Sequence, residues 1–110
     1  MLAVIVWWNL EESGQTIESL REFLRAEAVD RFSHVTGLRL KFWISDQDTN
    51  RWGAVLLWES VEAAAAPIPG RAAELIGYPP SHHFSFTIEA TTEGIYSLAR
   101  LSGRGVAVEN

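Results

Sequence analysis

The sequence lacks cysteine, and cationic residues are scarce in it. Its 110 residues include no cysteine, nine lysines and arginines together, and 14 aspartates and glutamates. The absence of cysteine excludes disulfides and thiolate metal sites and is typical of a reducing compartment, so we expect a cytoplasmic location. A formal net charge of −5 is opposite in sign to the surface that follows a phosphate backbone. Nucleic acid is therefore not an expected partner.

Long hydrophobic runs are also missing. The opening segment MLAVIVWWNL is apolar, but it is shorter than the roughly 20 residues that a membrane-spanning helix needs. It also lacks the basic start and the small-residue cleavage site of a secretory signal. We predict a first β-strand here and no membrane partner.

Hydrophobic side chains, tryptophan above all, are what the sequence has in quantity. Hydrophobic residues make up 47% of the chain and charged residues 21%, which is usual for a globular domain, and no repeat or linker divides it. We predict one domain over residues 1–100 and a C-terminal tail over residues 101–110. The five tryptophans all lie in or beside predicted strands, where large rings fill a wide core, an interface or a pocket.

Hydrophobic periodicity predicts the order strand, helix, strand, strand, helix, strand. A strand over residues 2–9 precedes an amphipathic helix of about 15 to 18 residues, and residues 37–60 form a hairpin around the polar turn SDQDTN. A second helix begins after Ser60, is interrupted by PIPG and resumes in RAAELIG. The last strand, HHFSFTIEA, precedes a short helix in EGIYSLARL. This order is typical of the ferredoxin-like βαββαβ fold, an α+β arrangement with two helices on one face of a four-stranded antiparallel sheet.

The predicted strands are apolar on two faces. In the hairpin, Leu40 and Phe42 alternate with Lys41 and Trp43, and the strand WGAVLLW is apolar throughout. A sheet with one wet face alternates cleanly between apolar and polar residues, so the second face of this sheet needs a cover. Because soluble monomers rarely expose a large apolar patch, we predict a homodimer in which two sheets meet face to face as a dimeric α+β barrel.

Several segments resemble the YdhR-type mono-oxygenases, which belong to the dimeric α+β barrel group that also contains the antibiotic-biosynthesis mono-oxygenases. The segments are GLRLKFWISD, WGAVLLWESVEAAAA, LIG and FTIEA, and the matching positions are Gly37, Leu38, Lys41, Trp43, Gly53 and Gly77. The resemblance covers roughly residues 2–100. It implies the barrel fold and a small oxidoreductase that uses no flavin, haem or metal cofactor. Such chemistry suits a polycyclic phenol or anthrone, which can pass an electron to oxygen once it is deprotonated in a dry aromatic pocket.

Three residues of the second strand are candidates for substrate binding. Arg39, Lys41 and Trp43 share one face of this strand, opposite the apolar set Leu38, Leu40, Phe42 and Ile44. If the apolar set of this strand packs on the helices, this mixed set points into the barrel. Lys41 or Arg39 would then hold an enolate or carboxylate, and Trp43 would stack on a planar ring. The alternative is that the two cations form ion pairs and Trp43 fills an interface.

The last strand offers the candidate proton acceptor. The alternation of the strand places His83 and Ser85 together on the face of the predicted cavity. A neutral histidine is a suitable general base because its ordinary pKa is near working pH. His82 and His83 are adjacent, so they point to opposite faces and would not share one metal. Tyr78 in the GYPPS loop is a candidate rim hydroxyl. The alternatives are histidines bonded to backbone and a tyrosine that packs the loop.

These observations predict a cofactor-independent mono-oxygenase that acts on an aromatic small molecule of the polycyclic phenol or anthrone class, with His83 as the catalytic base. A first alternative is a non-enzymatic dimeric barrel that binds an apolar ligand or acts as a regulatory module. A second alternative is haem degradation on the same fold, which needs a histidine placed to ligate iron.

Overall fold

The structure is a computed structural model that describes residues 1–66, 70–96, 104 and 108. Its four strands form one antiparallel sheet in the order β2-β3-β1-β4. This topology, with helices on one face, confirms the predicted ferredoxin-like α+β fold. The strands are β1 (Leu2–Asn9), β2 (Leu38–Asp46), β3 (Arg51–Trp58) and β4 (His82–Thr87).

The first helical segment is continuous but contains a π-helical turn. It runs through α1 (Ile17–Phe23), the π-helical turn (Leu24–Ala28) and α2 (Val29–Phe32), which agrees with the predicted length. Thr16 and Ser19 begin the segment with a reciprocal capping box, because each backbone N–H donates to the other residue's hydroxyl, at 2.8 and 3.0 Å.

The second helical region consists of two short helices, α3 (Val61–Ala65) and α4 (Arg71–Ile76). The hydroxyl of Ser60 accepts a hydrogen bond from the backbone N–H of Ala63 at 3.0 Å, so the predicted cap is confirmed. Helix α4 ends at Gly77, whose left-handed backbone (φ 105°) is one that glycine adopts readily. Most of the predicted PIPG interruption, residues 67–69, lies outside the described residues.

The hydrophobic core lies between the helices and one face of the sheet. Alternate residues of β1 and β3 point to this face, and the helices contribute their apolar sides. The strands supply the buried residues Val4, Trp8, Trp52, Ala54, Leu56 and Trp58, and the helical segments supply Ile17, Leu20, Ala28, Phe32 and Ile76.

Phe42 and Ile44 of β2 face away from the helices, opposite to our expectation, whereas Leu38 packs against the core. Phe42 and Ile44 are 47% and 38% exposed, whereas Lys41 and Trp43 lie opposite the core residues Leu56 and Ala54. The alternation separates the two faces of β2 but does not show which of them the helices cover. The pairing with β3 decides the orientation.

The predicted C-terminal helix and tail lie mostly outside the described residues. Within EGIYSLARL, Ile95 and Tyr96 form a turn and residues 97–101 are not described. Arg104, in the predicted tail, donates to the carboxylate of Glu59 at 2.6 Å. This residue of the tail therefore contacts the residue that follows β3.

We expect Gly53→Ala to lower the free energy of unfolding by about 1–3 kcal/mol, the usual cost of overpacking. Gly53 is buried on β3, and a Cβ atom there would overlap the carbonyl oxygen of Val6 and lie 2.7 Å from the Cβ of Trp7. The control is Gly14→Ala, because no heavy atom lies within 4 Å of its added Cβ. Urea denaturation of both variants measures the difference, and equal stabilities would contradict the close approach.

Candidate functional site

A cavity of about 450 Å³ lies between the helices and the helix-covered face of the sheet. This volume is within the range of small-molecule sites, roughly 300 to 1,000 Å³. We expected the pocket on the opposite face, between two sheets, because we assigned the apolar side of β2 to the helices. The aromatic side chains of the cavity wall are Trp8, Phe23, Phe32, Trp43 and Trp58.

Small residues on the helices leave this space open. Helix α3 contributes Ala64 and Ala65 to the wall, and α4 contributes Ala72 and Ala73. Protein interiors are normally close-packed, but methyl groups do not reach the sheet as leucine or phenylalanine would. The alanine-rich segments that follow β3 therefore provide a cavity with tryptophan on its sheet side.

Lys41 is the cavity's most distinctive polar group. Its Nζ lies 3.2 Å from the ring centroid of Phe32 and 4.7 Å from that of Trp43, which are cation–π distances. Burial lowers the pKa of Lys41 to about 7, because desolvation disfavours the charged ammonium. Within the part of the chain that the structure describes, no carboxylate lies within 4.0 Å of this amine.

His83 and Ser85 line this cavity, together with Lys41 and Trp43. Their strand, β4, pairs with β1 so that His83 lies opposite Val6 and Ser85 opposite Val4. All six residues of β4 are exposed, so the two polar side chains lie at the open rim of the cavity. The structure thus brings four of the six predicted site residues to one place.

Two arginines at the cavity were missed by our sequence analysis. Arg31 and Arg71 line it, and both contact Glu27, at 3.7 and 3.1 Å. They lie on separate helical segments, and nothing in the periodicity indicates that these segments meet. The described lining contains these arginines, Lys41 and His83 but no acidic side chain. Glu27 pairs with both arginines and Glu74 pairs with Arg71, so these charges are partly offset beside the wall.

Arg39 lies outside the described wall of this cavity and does not accompany Lys41 there. A register shift between Leu38 and Leu40 places the extra residue of a β-bulge at this position. The Nε of Arg39 lies 3.4 Å from the carboxylate of Glu59. The hydrogen bond from Arg104 lowers the pKa of Glu59, and Arg39 adds to this effect. The ion-pair alternative fits the geometry of Arg39.

Tyr78 lies outside the described cavity wall. Its hydroxyl donates to the backbone carbonyl of Asn9, and its own carbonyl accepts a hydrogen bond from Trp8 Nε1 at 2.9 Å. These bonds join the loop before β4 to the end of β1. Tyr78 therefore packs the loop, as the alternative interpretation has it.

Neither a metal cluster nor a membrane span occurs in the described parts of the chain. Within residues 1–66, 70–96, 104 and 108, no three histidine or acidic side chains come together as metal ligands. Over the same residues, every helix is too short or too polar to cross a bilayer. No protein-family model matches the sequence, and no curated protein matches it.

Proposed function

We propose that this protein is a cofactor-independent mono-oxygenase that acts on a planar aromatic molecule with an ionisable hydroxyl, such as a polycyclic phenol or an anthrone. The observation that carries the proposal is the cavity of about 450 Å³, which has aromatic walls and only basic ionisable groups among its described lining. Aromatic walls bind flat rings. Basic groups favour the deprotonated form of the ring hydroxyl.

The reaction needs little from the protein beyond this environment. Deprotonation yields an enolate, which passes electrons to oxygen. In an anthrone, the methylene carbon becomes a carbonyl, one oxygen atom enters the product, and the other leaves as water. His83 accepts the proton at the rim, Lys41 in its charged form holds the enolate oxygen, and Trp43 stacks on the ring. The dry walls exclude water from the reactive intermediate.

The acting form that we propose is a homodimer, assembled through the face of the sheet opposite the helices. Phe42, Ile44, Phe84 and Phe86 on this open face are between 38% and 52% exposed. The Nε1 of Trp7 is buried there with no hydrogen-bond partner among the described residues. A self-complementary apolar face suits a two-fold interface.

A non-enzymatic binding protein is the second candidate. The exposure of His83 favours it, because a histidine in contact with water is a poor choice for a base in a dry pocket. Haem degradation has no support from the described residues beyond His83 itself. Both candidate functions use the same cavity to bind an aromatic ligand. Only the mono-oxygenase would also convert the bound ligand.

We expect oxygen uptake by the purified protein with anthrone or 1-naphthol, and His83→Ala should slow it at least 10-fold, about 1.4 kcal/mol of barrier. An oxygen electrode measures the rate on metal-free protein. The matched control is His34→Ala, because His34 is exposed and lies outside the described lining of the cavity. This control should retain the wild-type rate.

Tryptophan fluorescence separates the two candidate functions. Three of the five tryptophans line the cavity, so a bound aromatic ligand should quench their emission. Quenching by 1-naphthol without oxygen uptake across a panel of phenols and anthrones would reject the mono-oxygenase and support the binding protein. Uptake that both histidine variants retain would reject the role of His83.

A further inference from the structure

Lys41 is the only lysine in the sequence, and it lies in the cavity wall. We infer that Lys41 captures aromatic aldehydes or ketones in this cavity as a covalent Schiff base. The inference uses the same cavity as the proposed function and goes beyond it, because the reaction needs neither oxygen nor a proton acceptor at the rim.

The surroundings of Lys41 Nζ favour the unprotonated amine that such a reaction needs. The amine lies over Phe32 and near Trp43, without a carboxylate partner among the described residues. The other ionisable groups in the described wall are Arg31, Arg71 and His83, none of which is acidic. Burial lowers the pKa of Lys41 to about 7. An ordinary lysine has a pKa of 10.5 and is almost entirely protonated at neutral pH.

The chemistry is balanced without an external oxidant. The lone pair of Nζ attacks the carbonyl carbon, and the carbonyl oxygen takes up a proton to give a carbinolamine. Loss of one water molecule then forms the C=N bond, so amine and carbonyl become imine and water. A lysine desolvated among apolar groups or beside cations is the usual nucleophile for this step.

The shape of the cavity selects the carbonyl compound. Phe32 and Trp43 meet edge to face at 5.9 Å, directly beneath the amine. A flat ring held among the aromatic walls would place its attached carbonyl within reach of Nζ. We therefore expect a two-ring aldehyde to react much faster than a small aliphatic aldehyde, which gains nothing from the walls.

The test is reductive trapping under nitrogen with 2-naphthaldehyde and cyanoborohydride at pH 7.5, followed by peptide mass spectrometry. In the wild type, one naphthylmethyl group should appear on Lys41, and Lys41→Arg should lose this label. The control variant is Arg25→Lys, which places a second side-chain amine at an exposed position while Lys41 remains. Within this variant, Lys41 should label at least 10-fold faster than the introduced amine.

Two comparisons distinguish a binding site from simple reactivity. Excess 1-naphthol should slow the labelling of Lys41 but not that of the introduced amine, and propionaldehyde should show little preference for Lys41. Equal labelling of the two amines, or labelling that 1-naphthol leaves unchanged, would overturn the inference. Labelling of Lys41 in a protein that consumes no oxygen would refute the mono-oxygenase alone, and oxygen uptake without labelling would refute the Schiff base alone.

Discussion

Phe84→Glu is expected to convert the proposed dimer into a monomer and to weaken self-association at least 100-fold, about 2.7 kcal/mol. Phe84 lies in the aromatic row of the open face, with its ring centroid 5.5 Å from that of Trp7 and 6.4 Å from that of Phe86. In a two-fold interface each substitution occurs twice, so two carboxylates would be buried without partners.

The control for this experiment is Thr87→Glu. Thr87 is on the same strand as Phe84 and is also exposed. It points to the face that the helices cover and lies outside the described cavity wall. Sedimentation velocity at micromolar concentration should show a dimer for wild type and Thr87→Glu and a monomer for Phe84→Glu. Circular dichroism verifies that each variant is folded. A monomeric wild type would reject the proposed dimer. A dimeric Phe84→Glu variant would show that the interface lies on another surface.

The free energy of unfolding is expected to rise with pH above neutrality because of Lys41. Its pKa is about 7 in the folded protein, against an ordinary value of 10.5. Between these values the unfolded chain binds one more proton, so stability increases with pH, by at most about 1.4 kcal/mol per unit. Because Lys41 is only partly buried, we expect a total gain of about 1–2 kcal/mol between pH 7.5 and 9.5.

Lys41→Met isolates this contribution. Methionine keeps an unbranched side chain against Phe32 and carries no charge, whereas Arg31, Arg71 and His83 still face the cavity. The variant should be more stable than wild type at pH 7, and the difference should shrink as pH rises to 9.5. Urea titrations at several pH values measure both curves. Parallel curves would show that the amine is not desolvated in the folded state.

Local patterns were sufficient for the elements of the fold. The capping residues Thr16 and Ser60, the helical spacing after each, and the alternation of Phe84 with His83 all depend on neighbours within a few residues. For this reason the sequence predicted the element order and, with it, the sheet topology. Lys41, Trp43, His83 and Ser85 also line one cavity, because the strand period of two puts each pair on one face.

The features of the site that the sequence did not reveal depend on the tertiary structure. The register shift between Leu38 and Leu40 interrupts the alternation at Arg39, which lies outside the cavity wall that contains Lys41, and no local pattern marks that shift. Arg31 and Arg71 lie 40 positions apart in the sequence and meet only because both contact Glu27. Tyr78 bonds back to Asn9, which a loop sequence does not reveal.

The sequence by itself determined which segments are helices and strands and which residues alternate, because these properties follow from short-range periodicity and capping. Only the tertiary structure decided which face of β2 the helices cover, and therefore where the cavity lies. The alternation separates Leu40 and Phe42 from Lys41 and Trp43, but it does not show whether helices or a second sheet cover each face. The pairing of Lys41 and Trp43 with Leu56 and Ala54 selects one of them. That pairing places the single lysine of the chain against aromatic rings, where desolvation changes its chemistry.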